Sequence, residues 1–274
     1  MIILPEIAKI TTQKKAKDRY NIFLKEHEKE YYGFSVNEDL LITFHLHKGQ
    51  MLTPDMITQI QEKDSSYKAY TLSVRYLSYR MRSEQEIIDY LIRKEVDEQY
   101  IGEVTTRLKR EGLIDDLVFA EALVRTRMET STKGPLLVKK ELADKGVSAD
   151  LTTQALSLYT FDKQFSKVEK LINKKLSASS KKSYQQQLDS AKQTAIQKGF
   201  GFDVISEVIG QINSTRDEEE EYNAIVFQGE KLVTKFQKKE SGQGWKLKVK
   251  AALFRKGFPA DLIDRFLDEY AEEH

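Results

Sequence analysis

Four arginines are candidates for binding an anionic or polar partner. Arg80 and Arg82 lie within an aromatic segment, residues 75–83 (RYLSYRMRS), and Arg125 and Arg127 follow further along the chain. A guanidinium group presents a planar fork of N–H donors that matches a carboxylate or a phosphate. We therefore expect these four side chains to contact a partner molecule.

Lysines form a second candidate surface, although the whole chain carries a formal net charge of only +1. Residues 163–198 hold 9 Lys against 2 acidic residues, and residues 231–256 hold 9 Lys and Arg against 1 acidic residue. Several ammonium groups within a Debye length of one another are expected of a surface that contacts a polyanion. A solvated lysine face that maintains solubility is the alternative. The candidate lysines are Lys174, Lys175, Lys181, Lys182, Lys246, Lys248 and Lys250.

The sequence contains few patterns that support catalysis or metal binding. The 274 residues include no cysteine, which excludes disulfides, iron–sulfur clusters, cysteine nucleophiles and thiolate zinc sites. Of the 4 histidines, only His45 and His47 are close in sequence, and we expect them on one face of a strand as a surface pair. The chain also lacks a glycine loop ending in Gly-Lys-Ser/Thr. We therefore predict no catalytic residues, no cofactor and no metal. An unrecognised hydrolase remains as an alternative function.

A repeated helix-stop signal gives the organisation of most of the chain. It consists of a lysine, a glycine or its substitute, and an apolar residue, and its lysines are Lys94, Lys145, Lys198 and Lys256, at intervals of 51, 53 and 58 residues. Three copies place glycine after the lysine, where a helix C-terminus commonly needs a left-handed residue, and the first copy has Glu95 instead. The intervals predict four units of three short helices each. Within the first unit, Ser83 and Glu86 predict a capping box whose only role is to start a helix.

The first 50 or so residues differ from the rest of the chain because short β-branched and aromatic runs alternate with polar pairs. The pattern predicts strands at 7–12, 19–24, 31–36 and 40–46. Thr53 and Pro54 then predict an N-cap followed by the first helical residue. We expect a mainly α-helical fold, in which a small N-terminal β-rich domain precedes tandem three-helix repeats arranged as an elongated curved array. The expected domains are 1–64, 65–116, 117–160, 161–215 and 216–274.

The first two units resemble the RecX family of RecA regulators. The matching residues are Tyr76–Arg80 with Arg82, Ser83 and Glu86, then Gly112–Asp116 with Phe119, Ala120 and Arg125, and then Gly134, Glu141, Leu142, Lys145 and Gly146. The resemblance implies a modular helical protein that binds the RecA nucleoprotein filament along its groove. It also implies that the protein modulates, and usually inhibits, recombinase and ATPase activity in recombination and DNA repair.

Two functional interpretations thus remain beside the hydrolase. One is binding to the recombinase filament, with the arginines making specific protein contacts and the lysines acting generically. The other is sequence-nonspecific binding of single- or double-stranded DNA through the lysines alone. The absence of cysteine and of a long apolar run predicts a cytoplasmic chain that has no membrane partner, and we expect it to be a monomer.

Overall fold

The computed structural model describes residues 4–177, 181–212, 218–238 and 244–273. Within these ranges the chain forms three strands and thirteen helices. The strands are β1 (Glu6–Thr12), β2 (Arg19–Glu26) and β3 (Lys29–Asn37). The helices are α1 (Glu38–Thr43), α2 (Pro54–Leu77), α3 (Glu84–Arg93), α4 (Glu98–Arg110), α5 (Asp116–Thr130), α6 (Pro135–Asp144), α7 (Ala149–Leu156), α8 (Phe161–Leu176), α9 (Tyr184–Gln197), α10 (Phe202–Gln211), α11 (Glu218–Gln237), α12 (Gly244–Arg255) and α13 (Ala260–Glu273).

The described residues divide into two compact units. The first contains residues 4–119 together with 145–148, and the second contains 120–144 together with the described residues from 149 onward. The turn at 145–148 therefore belongs to the first unit, although the helices on either side of it belong to the second.

The N-terminal strands form an antiparallel sheet in the order β1-β2-β3, as the alternating pattern predicts. Alternate side chains point to opposite faces of a strand, so each strand buries one apolar row. Ile7, Ile22, Leu24, Phe34 and Val36 supply the rows that form the core of this domain.

The expectation of a fourth strand at 40–46 is wrong, because this segment contains helix α1. The side chain of Asn37 accepts a hydrogen bond from the backbone N–H of Leu40 at 3.1 Å, which is an N-cap. Acidic residues fill the first turn, where the helix dipole favours negative charge. A short apolar run has no distinguishing period, and the local cap decides its conformation here.

The expectation that His45 and His47 share a strand face is also wrong. His45 follows α1 in a left-handed conformation with φ of 48°. His47 Nδ1 lies 3.0 Å from the carbonyl oxygen of Lys48, within the following turn. Residues 4–177, 181–212, 218–238 and 244–273 contain no group of three His, Cys, Asp or Glu side chains that could hold a metal ion.

Helix α2 joins the sheet to the first three-helix group. It begins at the predicted Thr53 cap, and its 24 residues continue without a break across the expected domain boundary at 64–65. Asp64 is 2% exposed and accepts hydrogen bonds from Arg19 Nη2 at 2.7 Å and from the backbone N–H of Asn37 at 3.1 Å. The same helix thus anchors to the sheet with its first half and contributes Ala69 to the next core with its second half.

Tandem three-helix groups follow, which confirms the predicted fold class. The groups are α2–α4, α5–α7, α8–α10 and α11–α13. Helices pack on one another within the first, third and fourth groups, α6 packs on α7 in the second, and an ion pair links α5 to α6. The expected boundary at 215–216 lies outside the described residues.

Each helix-stop signal forms a left-handed turn, as predicted. Gly146, Gly199 and Gly257 have φ of 76°, 85° and 76°. Glu95 takes the same conformation with φ of 58°, although a left-handed conformation is costly for a residue with a Cβ atom. The first repeat therefore ends its middle helix in the same way without glycine.

The three glycines also allow close approach of the preceding repeat. A Cβ atom at Gly146 would lie 2.4 Å from Cβ of Gln85, and one at Gly257 would lie 2.8 Å from Cβ of Gln185. At Gly199 the obstacle is the backbone nitrogen of Leu137, at 2.8 Å. These neighbours lie in the first turns of α3, α9 and α6, the middle helices of the preceding repeats.

Candidate functional site

Arg80 uses its fork within the chain. Its Nη2 donates to Glu86 Oε1 at 2.7 Å, and its Nη1 donates to Glu86 Oε2 at 3.3 Å and to the carbonyl oxygen of Met81 at 2.9 Å. Lys145 Nζ donates to the same Glu86 Oε1 at 2.9 Å. Glu86 therefore connects the segment before α3 with the turn that follows α6.

The pKa of Glu86 reflects this crowded environment. Burial acts to raise the pKa, but hydrogen bonds from Arg80, Lys145 and the Ser83 backbone N–H outweigh it and lower the pKa to about 2. The carboxylate is thus charged at neutral pH, and it holds two cationic side chains in place.

Ser83 does more than cap α3, contrary to the expectation that the capping box only starts a helix. The capping box is present, and Ser83 Oγ also donates to the carbonyl oxygen of Lys145 at 2.7 Å, across 62 residues of sequence. Ser183 Oγ makes the equivalent bond to the carbonyl oxygen of Lys256, and the Gly134 backbone N–H donates to that of Lys198 at 2.6 Å. The starts of α3, α6 and α9 thus each hold the helix-stop turn of the next repeat.

Arg82 lies against an aromatic pair. Its guanidinium carbon is 4.0 Å from the centroid of the Tyr76 ring, which stacks on Tyr90 at 4.0 Å. Its Nε is buried and has no hydrogen-bond partner in the part of the chain that the structure describes. Arg82 thus combines a cation–π contact with one unused donor.

The second arginine pair is also engaged within the chain. Arg125 Nη2 lies 2.7 Å from Glu121 Oε2, one helical turn earlier on α5, and the arginine side chain is 57% exposed. Arg127 forms a bidentate ion pair with Glu141 on α6, and Lys133 Nζ reaches the same carboxylate at 2.8 Å. Hydrogen bonds from Arg127 chiefly lower the pKa of Glu141, to about 2, and those from Lys133 add to this effect against the opposing effect of burial.

Several lysines of the third repeat are exposed. Lys174 and Lys175 lie in the last turn of α8. Lys181 Nζ lies 4.0 Å from the centroid of the Phe227 ring, and Lys231 Nζ lies 3.8 Å from the same centroid. A cationic surface that includes one aromatic ring is thus present beside the start of α9.

Lys182 extends this surface into an open pocket. It lines the pocket with Lys256, Asp189, Gln186 and Gln228. The lining thus contains two ammonium groups and one carboxylate, and its net charge is positive.

The three candidate lysines of the fourth repeat, Lys246, Lys248 and Lys250, lie on α12. Lys250 forms an ion pair with Asp264 on α13. Lys246 Nζ lies 5.9 Å from the Trp245 ring, and Lys248 is exposed on the helix. The structure therefore separates the two lysine sets, one at the end of α8 and before the start of α9 and the other along α12.

Sequence reasoning missed the acidic partners of the arginines and one half-buried lysine. Glu86 was visible as a capping residue, but Glu141 is 14 residues from Arg127 and no local pattern marks the pair. Lys167 is half-buried and donates to the carbonyl oxygens of Ser131 at 2.9 Å and Arg127 at 3.3 Å. Desolvation lowers the pKa of Lys167. Among the residues described, no helix is long and apolar enough to cross a membrane.

Family models match the chain in four places. The RecX N-terminal domain matches residues 5–53, and the first, second and third RecX three-helix domains match residues 69–108, 115–156 and 218–267. A curated protein of Oceanobacillus iheyensis named "Regulatory protein RecX" is 49% identical over 98% of this chain and 100% of its own length. A protein of the same name from Bacillus velezensis is 41% identical over 97% of this chain and 99% of its own length.

Solved structures agree with these matches. A crystal structure of regulatory protein RecX, 32% identical in sequence, superposes with a TM-score of 0.65 over 76% of this chain and 100% of that one. The crystal structure of RecX from Lactobacillus salivarius is 36% identical, with a TM-score of 0.54 over 55% of this chain and 98% of that one.

Proposed function

Because this chain belongs to the RecX family of regulatory proteins, we propose that it binds the RecA nucleoprotein filament and inhibits recombinase and ATPase activity. The observation that carries this proposal is the order of the matches. The N-terminal model and the first, second and third three-helix models match in that order at residues 5–53, 69–108, 115–156 and 218–267, and relatives named as regulatory proteins match nearly the whole chain. The protein would act as a monomer in the cytoplasm, by binding rather than by catalysis.

The repeated architecture supports a partner that is itself repetitive. In each of the first three three-helix groups, the start of the middle helix holds the helix-stop turn of the next repeat. A protein made of similar units offers similar contacts at intervals, which suits a polymer of identical subunits. The arginines near these contacts between repeats would then combine an ion pair within the chain with a contact to the partner.

A filament assay tests the proposed function directly. RecA is incubated with single-stranded DNA and a non-hydrolysable nucleotide, and the purified chain is added before the filament is sedimented. We expect the chain to sediment with the filament, and to lower ATP hydrolysis when ATP replaces the analogue. A chain that stays in the supernatant and leaves hydrolysis unchanged would contradict the proposal.

Direct DNA binding is the second candidate function, favoured by the exposed lysines at the end of α8 and the start of α9. In this case the purified chain binds DNA without RecA, and its affinity falls steeply with salt because counterions are released from phosphates. The salt dependence of binding is therefore compared for the filament and for naked DNA. A much weaker salt dependence with the filament would favour the recombinase as the partner.

A further inference from the structure

Helix α12 carries two apolar faces. Val249 and Leu253 are buried in the core of the fourth three-helix group. Leu247 and Phe254 are 74% and 64% exposed, and Ala251 between them is exposed as well. Residues at i, i+4 and i+7 lie on one side of a helix, so these three form a continuous strip. We call Leu247, Ala251 and Phe254 the α12 stripe.

The charged residues along α12 are all basic. At 100° per residue, Lys248 and Arg255 lie on one side of the α12 stripe and Lys250 lies on the other. Helix α12 contains no Asp or Glu, and Lys250 pairs with Asp264 of α13. The α12 stripe is therefore an apolar strip bordered by basic side chains, of which Lys250 is ion-paired.

The α12 stripe differs from the surface formed by Lys174, Lys175, Lys181 and Lys182, which we call the third-repeat lysines, because its centre is apolar. A protein interface typically has large apolar or aromatic side chains at its centre and charges at its rim. An interface with nucleic acid is more polar, because phosphates and base edges supply most contacts. The exposed Leu and Phe of the α12 stripe therefore favour a protein partner.

We propose that the α12 stripe is a docking surface for an apolar pocket with an acidic rim on a partner protein. The basic side chains that border the stripe attract and orient an acidic rim, while Leu247 and Phe254 enter the pocket. The inference rests on the proposed function, since it takes a subunit of the RecA filament as the partner. It assigns the fourth-repeat lysines to a protein contact and leaves DNA to the third-repeat lysines.

A double variant, Leu247→Ser with Phe254→Ser, tests the α12 stripe in the full-length chain. The matched control is Phe202→Ser on α10, because Phe202 is also an exposed aromatic residue at 71%. Binding of each labelled chain is measured by fluorescence anisotropy against the RecA filament and against naked single-stranded DNA. We expect the double variant to bind the filament at least about tenfold more weakly, because a few large side chains carry most of the binding energy of a protein interface. We expect its binding to DNA to be unchanged.

A second variant distinguishes a loss of binding from a loss of folded structure. Ala251→Glu places a carboxylate in the middle of the α12 stripe at an exposed position, and Glu is a good helix former. We expect the same loss of filament binding, with unchanged helix content by circular dichroism.

The possible outcomes separate this inference from the proposed function. A wild-type chain that does not bind the filament overturns the proposed function and the docking surface with it. Wild-type binding that both variants retain overturns the docking surface alone. An equal loss of DNA binding would assign the α12 stripe to nucleic acid, and a wild-type dimer that the variants dissociate in sedimentation would assign it to a second copy. Either result overturns the inference.

Discussion

Two carboxylates organise the cationic side chains that the sequence marks as functional. Glu86 holds Arg80 and Lys145, and Glu141 holds Arg127 and Lys133. Each carboxylate joins residues that are distant in sequence but belong to one compact unit. Arg80 and Arg127 therefore have a structural role. They can contact a partner only through the guanidinium N–H groups that these ion pairs leave unused.

The depressed pKa values of Glu86 and Glu141 predict a loss of stability in acid. Each folded-state pKa is about 2, against an ordinary value of 4.5. Because the folded-state pKa is lowered, the carboxylates stabilise the fold above about pH 4.5, and this contribution is lost as the pH falls towards 2. We expect Glu86→Gln to flatten the decline in unfolding free energy between these values, measured by urea denaturation at a series of pH values. An identical decline in the variant would contradict the assignment.

Replacing Arg80 and Arg82 by Lys tests the arginine forks. Charge is kept, but Arg80 loses its bidentate contact with Glu86 and Arg82 loses its planar contact with Tyr76. We expect weaker inhibition of the recombinase ATPase with a nearly unchanged salt dependence of filament binding. Thermal unfolding of the variant distinguishes a lost partner contact from a loosened fold. Full inhibition by a normally folded variant would show that the two arginines do not contribute to partner binding.

At the scale of elements, the helix-stop turns explain where glycine is required. Gly146, Gly199 and Gly257 combine a left-handed backbone with close contact to the preceding repeat, whereas Glu95 has the same backbone and an exposed side chain. The first repeat follows the sheet domain and α1, so no earlier three-helix group packs against its turn. A side chain is therefore tolerated only there.

Paired substitutions at these turns test the explanation. We expect Gly199→Ala to lower the free energy of unfolding by about 1–3 kcal/mol, because it adds left-handed strain and a clash with Leu137. The matched change Glu95→Gly relieves strain and should leave stability unchanged or raise it by up to about 1 kcal/mol. Urea denaturation followed by circular dichroism provides both values. Equal effects at the two positions would refute the role assigned to the preceding repeat.

At the scale of the whole molecule, the third-repeat lysines are predicted to act generically on the DNA-loaded filament. Exchanging Lys174, Lys175, Lys181 and Lys182 for Gln removes positive charge from the end of α8 and the start of α9. We expect weaker association with the filament and a flatter salt dependence, by roughly 0.7–0.9 in log–log slope per lost phosphate contact. Anisotropy over a range of salt concentrations measures the slope. An unchanged slope would leave these lysines as a solvated face.

The sequence alone determined the features that depend on neighbouring residues. Helix caps at Thr53 and Ser83, the left-handed turns, the three strands and the tandem three-helix pattern all follow from short-range chemistry. The family resemblance rests on the same local motifs. The elongated curved array and the domain boundaries stay predictions.

Tertiary structure decided whatever depends on distant partners. The segment 40–46 is helical at its start, and the residue that caps this helix, Asn37, donates its backbone N–H to the carboxylate of Asp64, 27 residues away. The bond between Ser83 and Lys145 spans 62 residues, and the ion pair between Arg127 and Glu141 spans 14. Such pairs leave no period in the sequence, because their geometry is set by packing between helices and not by spacing along the chain.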